Sequence, residues 1–275
     1  MCLDLAENAL GPEPRAVLAA MLDYSRAHEV SLQDEASVQM TEGDITQALR
    51  TLVEEGRVDA YPTAPLEQLL ASLEACNLEA VERVGAAGIS VAWRVQMGCI
   101  LQRGRYYQAV AAVKEKFGSQ GVRVLQLLLQ KRHLEQKQVA ELTMGPQKET
   151  RELLYRMMRA GFVDMQLVPR GADRAPSRSF FTWTVNLPAA FKRIAADTYK
   201  AGCNVWSRYA HTMERNADLV AASRAAFYGG GSINVTDDAR PRMAKLHLVN
   251  QALVAAQLRL DEQAALFSDF APPTA

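Results

Sequence analysis

One stretch, from Phe117 to Asn186, limits the possible folds more than any other: FGSQGVRVLQLLLQKRHLEQKQVAELTMGPQKETRELLYRMMRAGFVDMQLVPRGADRAPSRSFFTWTVN. Val122, Leu125, Leu128 and Leu129 fall on one helical face. Leu134 to Leu142 spells a short helix, and Pro146 opens another that runs through Leu153, Leu154, Met157 and Met158 to Gly161. Phe162 to Val168 and Ser179 to Leu187 read as strands. The segment between them, Pro169 to Arg178, is rich in turn residues and holds three arginines. Three short helices followed by a hairpin with a basic loop is the order of a winged helix, a helix-turn-helix variant.

The same order precedes it. Val17, Leu18, Met21 and Leu22 give a helix within Glu13 to Glu29. Thr41 with Asp44 resembles a capping box opening a helix through Ile45, Leu49, Leu52 and Val53 to Gly56. Pro65 suits the first turn of a third helix carrying Leu66, Leu69, Leu70 and Leu73. Val81 to Val84 and Ser90 to Val95 complete a hairpin. Beyond residue 188 the pattern predicts two long helices broken at Gly229 to Ser232. Cys203, Trp206, Ala210, Met213, Ala217, Val220 and Phe227 form one seam; Leu246, Leu253 and Leu260 lie seven apart on the other, as a coiled coil requires. The expected fold is mainly α with small β-wings. It comprises an acidic winged-helix domain over 1–100, a basic one over 101–187, and an antiparallel coiled-coil helical hairpin with a tail over 188–275.

A formal charge of zero hides this division. Residues 1–100 hold 6 Lys/Arg against 16 Asp/Glu, residues 101–187 hold 15 against 7, and the remainder hold 10 against 8. The middle segment is therefore the one suited to a polyanion. Lys148, Arg151, Arg156 and Arg159 lie on its third helix, Lys131, Arg132 and Lys137 just before, and Arg170, Arg174 and Arg178 in the wing. Glu149 and Glu152 alternate with the helix cations, so each arginine alone reads as part of a solvated face. As a set, the cations suit the phosphates of double-stranded DNA. No Asn is placed to pair with adenine, so base reading is not expected. Phe180, Phe181 and Trp183 alternate as core residues of a strand do.

Other chemistry finds little support. Cys2, Cys76, Cys99 and Cys203 have neither metal-ligand nor disulfide spacing, and the histidines stand apart from them. No P-loop, GxSxG, HExxH or acidic DxDxD motif occurs, so neither a catalytic role, a cofactor nor a small-molecule ligand is expected. The apolar runs are too short to span a bilayer, and the acidic N-terminus lacks a signal-peptide pattern, which points to cytosol or nucleus.

Particular segments carry a resemblance. Leu127 to Lys131, His133-Leu134-Glu135-Gln136-Lys137-Gln138-Val139, Lys148-Glu149, Leu154-Tyr155, Ala175-Pro176-Ser177-Arg178 and Thr184-Val185-Asn186 closely resemble the third-largest subunit of eukaryotic RNA polymerase III, a winged-helix subunit related to the alpha chain of TFIIE. The likeness is dense over about a quarter of the chain, weaker over 13–116, and architectural beyond 188. It implies four winged-helix units and a C-terminal coiled coil, of which this chain would hold the last two units and the coiled coil, as a fragment or shortened form. It implies a nuclear, non-catalytic subunit of a three-subunit subcomplex that docks on the polymerase clamp, with other polymerase subunits, initiation factors and promoter DNA as partners. The partner-binding residues would then be Trp206, Met213, Val220, Leu246, Leu253 and Leu260. A free-standing winged-helix regulator and a purely structural scaffold are the alternatives.

Overall fold

The computed structural model describes residues 2–28, 36–85, 91–169, 179–229 and 239–268. It divides into two compact units, Met1–Ala111 and Ala112–Ala275. The chain is mainly helical with small antiparallel sheets.

In the first unit α1 (Cys2–Leu10) and α2 (Pro12–His28) precede the short strand β1 (Met40–Thr41). Helix α3 (Glu42–Glu54) starts at a reciprocal cap: Asp44 N–H donates to Thr41 Oγ1 at 3.3 Å, and Thr41 N–H donates to Asp44 Oδ2 at 2.8 Å. The Thr41 N–H, and the Thr41 hydroxyl that donates to the same Oδ2 at 2.8 Å, hold the Asp44 carboxyl below its ordinary pKa. Pro65 stands immediately before α4 (Leu66–Ala75). Strands β2 (Val81–Val84) and β3 (Ala92–Val95) then form a sheet in the order β1-β3-β2, with Met40 opposite Trp93. Leu18, Met21, Ile45, Leu49, Leu70 and Leu73 are among the buried core. Helix α1 and strand β1 are additions to the sequence reading. The first is short, and the second has two residues, too few for a period to show.

Helix α5 (Met97–Lys131) begins in the first unit and ends in the second, with a break at Gly118, whose φ of 72° and ψ of −168° are not helical. Glycine takes this left-handed φ without the strain a Cβ would bring. Gly121 must also lack a side chain, because a Cβ there would lie 2.5 Å from Phe117 Cβ. Then follow β4 (Leu134–Glu135), α6 (Gln136–Leu142), α7 (Gln147–Arg159), β5 (Asp164–Pro169) and β6 (Ser179–Thr184). The sheet order β4-β6-β5 and the pairing of Leu134 with Trp183 repeat the arrangement of β1, β3 and β2. Pro146 stands before α7 with φ and ψ of −60° and 136°, beside −57° and 137° at Pro65. Trp183, Phe162, Leu154, Met157, Leu128 and Val139 are buried here.

Helices α8 (Leu187–Arg215), α9 (Ala217–Gly229) and α10 (Ala239–Phe267) complete the second unit. Three helices stand where the pattern suggests two, because α8 ends at Asn216, whose side chain bonds back to the Thr212 carbonyl at 2.8 Å. Helices α8 and α10 run in opposite senses. Tyr199 Oη donates to Ser268 Oγ at 3.0 Å, Gly202 faces Gln257, and Asn250 Nδ2 donates to Met213 Sδ at 3.3 Å.

The α10 seam follows the expected heptad, with Leu246, Leu253 and Leu260 half-buried. The α8 seam does not follow the apolar residues. Trp206 is 64% exposed, and Cys203, Ala210 and Ala217 are exposed too, while Gly202, Val205, Tyr209, Thr212 and Asn216 are partly covered. The phase is set upstream by buried Ala190, Ile194 and Thr198, and carrying it on at helical spacing brings small and polar residues to the interface. Met213 and Val220 remain half-buried.

Candidate nucleic-acid and partner interface

Helix α7 is held from below by Thr150, Leu154 and Met157, which are buried, so its other side is fixed outward. At 3.6 residues per turn, Lys148, Arg151, Tyr155 and Arg159 fall within about 80° of one another around the axis. All four are exposed. The Arg151 guanidinium lies 5.9 Å from the Tyr155 ring centroid, an arrangement that anchors the cation while leaving its N–H groups to solvent. Arg156, the neighbour of Tyr155, is turned about 100° away and lies 5.8 Å from the Phe117 centroid.

Lys131 and Arg132 close α5, and Arg132 takes a left-handed φ of 65° so that the chain can turn into β4. Its N–H still reaches the Leu128 carbonyl at 2.8 Å. Lys137 sits on the first turn of α6. Lys131, Arg132, Lys137, Lys148, Arg151 and Arg156 are all exposed, and among the described residues none is ion-paired. Arg170, Arg174 and Arg178 lie outside the described residues.

The ribbon of β5 and β6 differs from the sequence expectation. Trp183 is buried, as expected of a core aromatic, and its ring meets Tyr155 edge-on at 5.4 Å. Phe181, two residues earlier on the same face, is 47% exposed. Its partner Leu167 is exposed, and so are Met165 and Val168. Every residue of β5 is exposed. The ribbon reaches past the helices that would cover it, so alternation along the strand marks a face without marking burial.

A second feature invisible to pattern is the tie between α5 and α8. Lys116 Nζ donates to Asp197 Oδ2 at 2.6 Å, and Arg193 approaches the same carboxylate at 3.4 Å. The Lys116 hydrogen bond is the main reason the Asp197 carboxyl is held below its ordinary pKa. Lys116 also lies 5.5 Å from the centroid of Phe162, which meets Phe117 edge-on. The tied residues stand 81 positions apart, beyond the reach of any local motif.

Along α8 and α10, Trp206 stacks on Tyr209 with centroids 5.5 Å apart, beside a shallow pocket that includes Val205, Leu253, Val254 and Leu258. No group of three or more His, Cys, Asp or Glu among the described residues could hold a metal ion, and no described helix is long and apolar enough to cross a membrane.

Known proteins resemble part of this chain. A family model described as the POLR3C C-terminal winged-helix domain matches residues 110–185. The bovine DNA-directed RNA polymerase III subunit RPC3 is 39% identical over 114 residues, 42% of this chain and 21% of that protein. The human subunit of the same name is 38% identical over the same length and shares. The Dictyostelium discoideum protein is 31% identical over 170 residues, 62% of this chain and 25% of its own length. The chain thus spans about a fifth to a quarter of the relatives it matches. Residues 110–185 contain β4, α6, α7, β5 and β6, together with the HLEQKQV and APSR segments. Over residues 110–185 the chain matches the C-terminal winged-helix domain of POLR3C, and it is similar to the RPC3 subunits of RNA polymerase III.

Proposed function

We propose that the chain acts as a non-catalytic subunit of nuclear DNA-directed RNA polymerase III, in a three-subunit subcomplex that supports promoter engagement, DNA opening and initiation at small RNA genes. The family match over 110–185 carries this reading. Its modules are an acidic winged helix over 1–100, a basic winged helix over 101–187 and a coiled-coil hairpin with its tail over 188–275. The repeated sheet order and the two matching prolines support the tandem pair. Other polymerase subunits and initiation factors are the protein partners, met through Trp206 and the hairpin residues Met213, Val220, Leu246, Leu253 and Leu260. The acidic first unit suits protein contact better than DNA. Tagged chain recovered from nuclear extract should bring down the large polymerase III subunits at physiological salt. Elution of the chain alone would overturn the reading.

Duplex DNA is met through phosphates, by Lys131, Arg132, Lys137, Lys148, Arg151 and Arg156 with Arg170, Arg174 and Arg178 of the wing. The exposed, unpaired state of the first six supports this assignment. Replacing the three wing arginines by Ala should lower the slope of log affinity against log salt by about 0.9 for each phosphate that is no longer neutralised, on any sequence. Fluorescence anisotropy on two unrelated duplexes checks it. An unchanged slope removes the wing from the DNA contact, and weakening on one duplex alone means that bases are read.

A further inference from the structure

We infer that Lys116 of α5 and Arg193 of α8 form a second phosphate contact for duplex DNA at the C-terminal end of α7, and that Asp197 between them holds that contact in check. The contact extends the duplex reading above, on which it rests, to residues outside α7 and the wing. Both cations reach one carboxylate: Lys116 Nζ lies 2.6 Å from Asp197 Oδ2, and Arg193 Nε lies 3.4 Å from Asp197 Oδ1. Lys200 stands one turn beyond Asp197 on α8 and acts on the same carboxyl. Three cations thus share a single counter-charge, and the cluster stays positive. Glu115, the neighbour of Lys116 in sequence, is turned about 100° from it around α5. The side chains of Lys116 and Arg193 are 41% and 56% exposed, and Lys200 is exposed as well.

Packing places the cluster at the end of α7. The Arg193 stem lies over Gly161, just past the helix, where an added Cβ would stand 3.7 Å from Arg193 Cγ. Lys116 lies 5.5 Å from the Phe162 centroid, Phe162 meets Phe117 at 5.9 Å, and Arg156 of α7 lies 5.8 Å from the Phe117 centroid. The cluster therefore adjoins Arg156 rather than standing apart from α7. A helix seated in the major groove brings its ends towards the phosphates that border the groove. The surroundings suit phosphate better than a polypeptide. The exposed residues one turn from Lys116 and Arg193 are Ser119, Gln120, Ala189 and Ala196, all small or polar. The rings beneath the cations are covered, Phe162 fully and Phe117 in half. A protein interface is centred on apolar side chains, whereas a phosphodiester backbone asks only for repeated charge. Asp197 opposes the contact, because phosphate must compete with it for Lys116 and Arg193.

The full chain is to be titrated with a fluorescent duplex by anisotropy over a salt series, with unfolding midpoints taken alongside by circular dichroism, since the tie also joins α5 to α8. Asp197→Asn should tighten binding about threefold at low salt, and the gain should fade as salt rises. Arg193→Gln, which leaves the Lys116 bond to Asp197 in place, should lower the slope of log affinity against log salt by about 0.9, and Lys116→Ala by a similar amount. Where Asp197→Asn lowers the midpoint, Arg193→Gln decides. Arg151→Ala reads the α7 face by itself. A slope that falls with Arg151→Ala and stays fixed with Arg193→Gln and Lys116→Ala keeps the duplex reading and overturns the second contact. A chain that binds no duplex overturns both. If the Lys116 and Arg193 variants weaken binding of poly-glutamate and leave the duplex unchanged, the cluster serves an acidic polypeptide and the proposal fails. It fails too if Asp197→Asn keeps its midpoint and binds duplex no more tightly, for the tie is then structural alone.

Discussion

Trp183→Ala is expected to destabilise the second unit by about 3–5 kcal/mol, the usual cost of truncating a fully buried large aromatic. Trp183 is 2% exposed and stands on the middle strand of its sheet, opposite Leu134 of β4 on one side and Met165 of β5 on the other. Its ring also packs edge-on against Tyr155 of α7. One side chain therefore joins both neighbouring strands and the third helix, and removing it leaves a cavity that no single element can move to fill. Domains of this kind are stable by roughly 5–15 kcal/mol, so the loss is a large share of the total. Phe181→Ala supplies the comparison: same strand, same face, similar chemistry, but exposed. It should cost well under half as much. Urea unfolding followed by circular dichroism, with the transition of each unit fitted separately, distinguishes the two. Equal costs would mean that the ribbon is as much core as the sheet beneath it.

The contrast between Trp183 and Phe181 shows where sequence reasoning runs out. Caps and breaks are legible because they depend on neighbours: Thr41 with Asp44, Gly118, and the prolines before α4 and α7 all act within one turn of chain. The hairpins are legible from period and turn composition. Burial along the wing is not, since period two assigns a residue to a face, and only the extent of the neighbouring helices decides whether that face is covered. The α8 seam fails for a related reason. Trp206 and Cys203 are the apolar residues a heptad search selects, yet α8 leaves the winged helix with its phase already fixed by Ala190, Ile194 and Thr198. The cations on α7 can be named from charge alone, but the ring of Tyr155 beneath Arg151 and that of Phe117 beneath Arg156 emerge only from the packing. The Lys116 to Asp197 tie leaves no local signal at all.

Leu253→Asp is expected to separate α10 from α8. Leu253 is the large aliphatic residue of the seam between Asn250 and Gln257, and Ala256 is the other packed position there. Both flanking amides are poorly satisfied: Asn250 Oδ1 and Gln257 Oε1 are buried without a hydrogen-bond partner, although Asn250 Nδ2 reaches Met213 and Gln257 Nε2 reaches Asp261 at 2.8 Å. This part of the seam thus rests on one leucine packed beside Val205 and Tyr209. Removing it forfeits up to about 1.5–3 kcal/mol of apolar burial, less for a residue only half-buried. A carboxylate in its place adds acceptors next to two amide oxygens that already lack donors, and it brings a charge with no cation in the seam to meet it. Loss of helical signal and faster hydrogen exchange along 246–260 are the expected readouts, with β5 and β6 protection retained. The converse change, Asn250→Leu, removes one unpaired oxygen and lengthens the apolar stretch, so it should raise the unfolding midpoint of the second unit. If Asn250→Leu destabilises the pair instead, the Asn250 to Met213 contact is selecting the register of the helices, as a polar seam residue can, and the seam's polarity is then a device for alignment at the expense of stability.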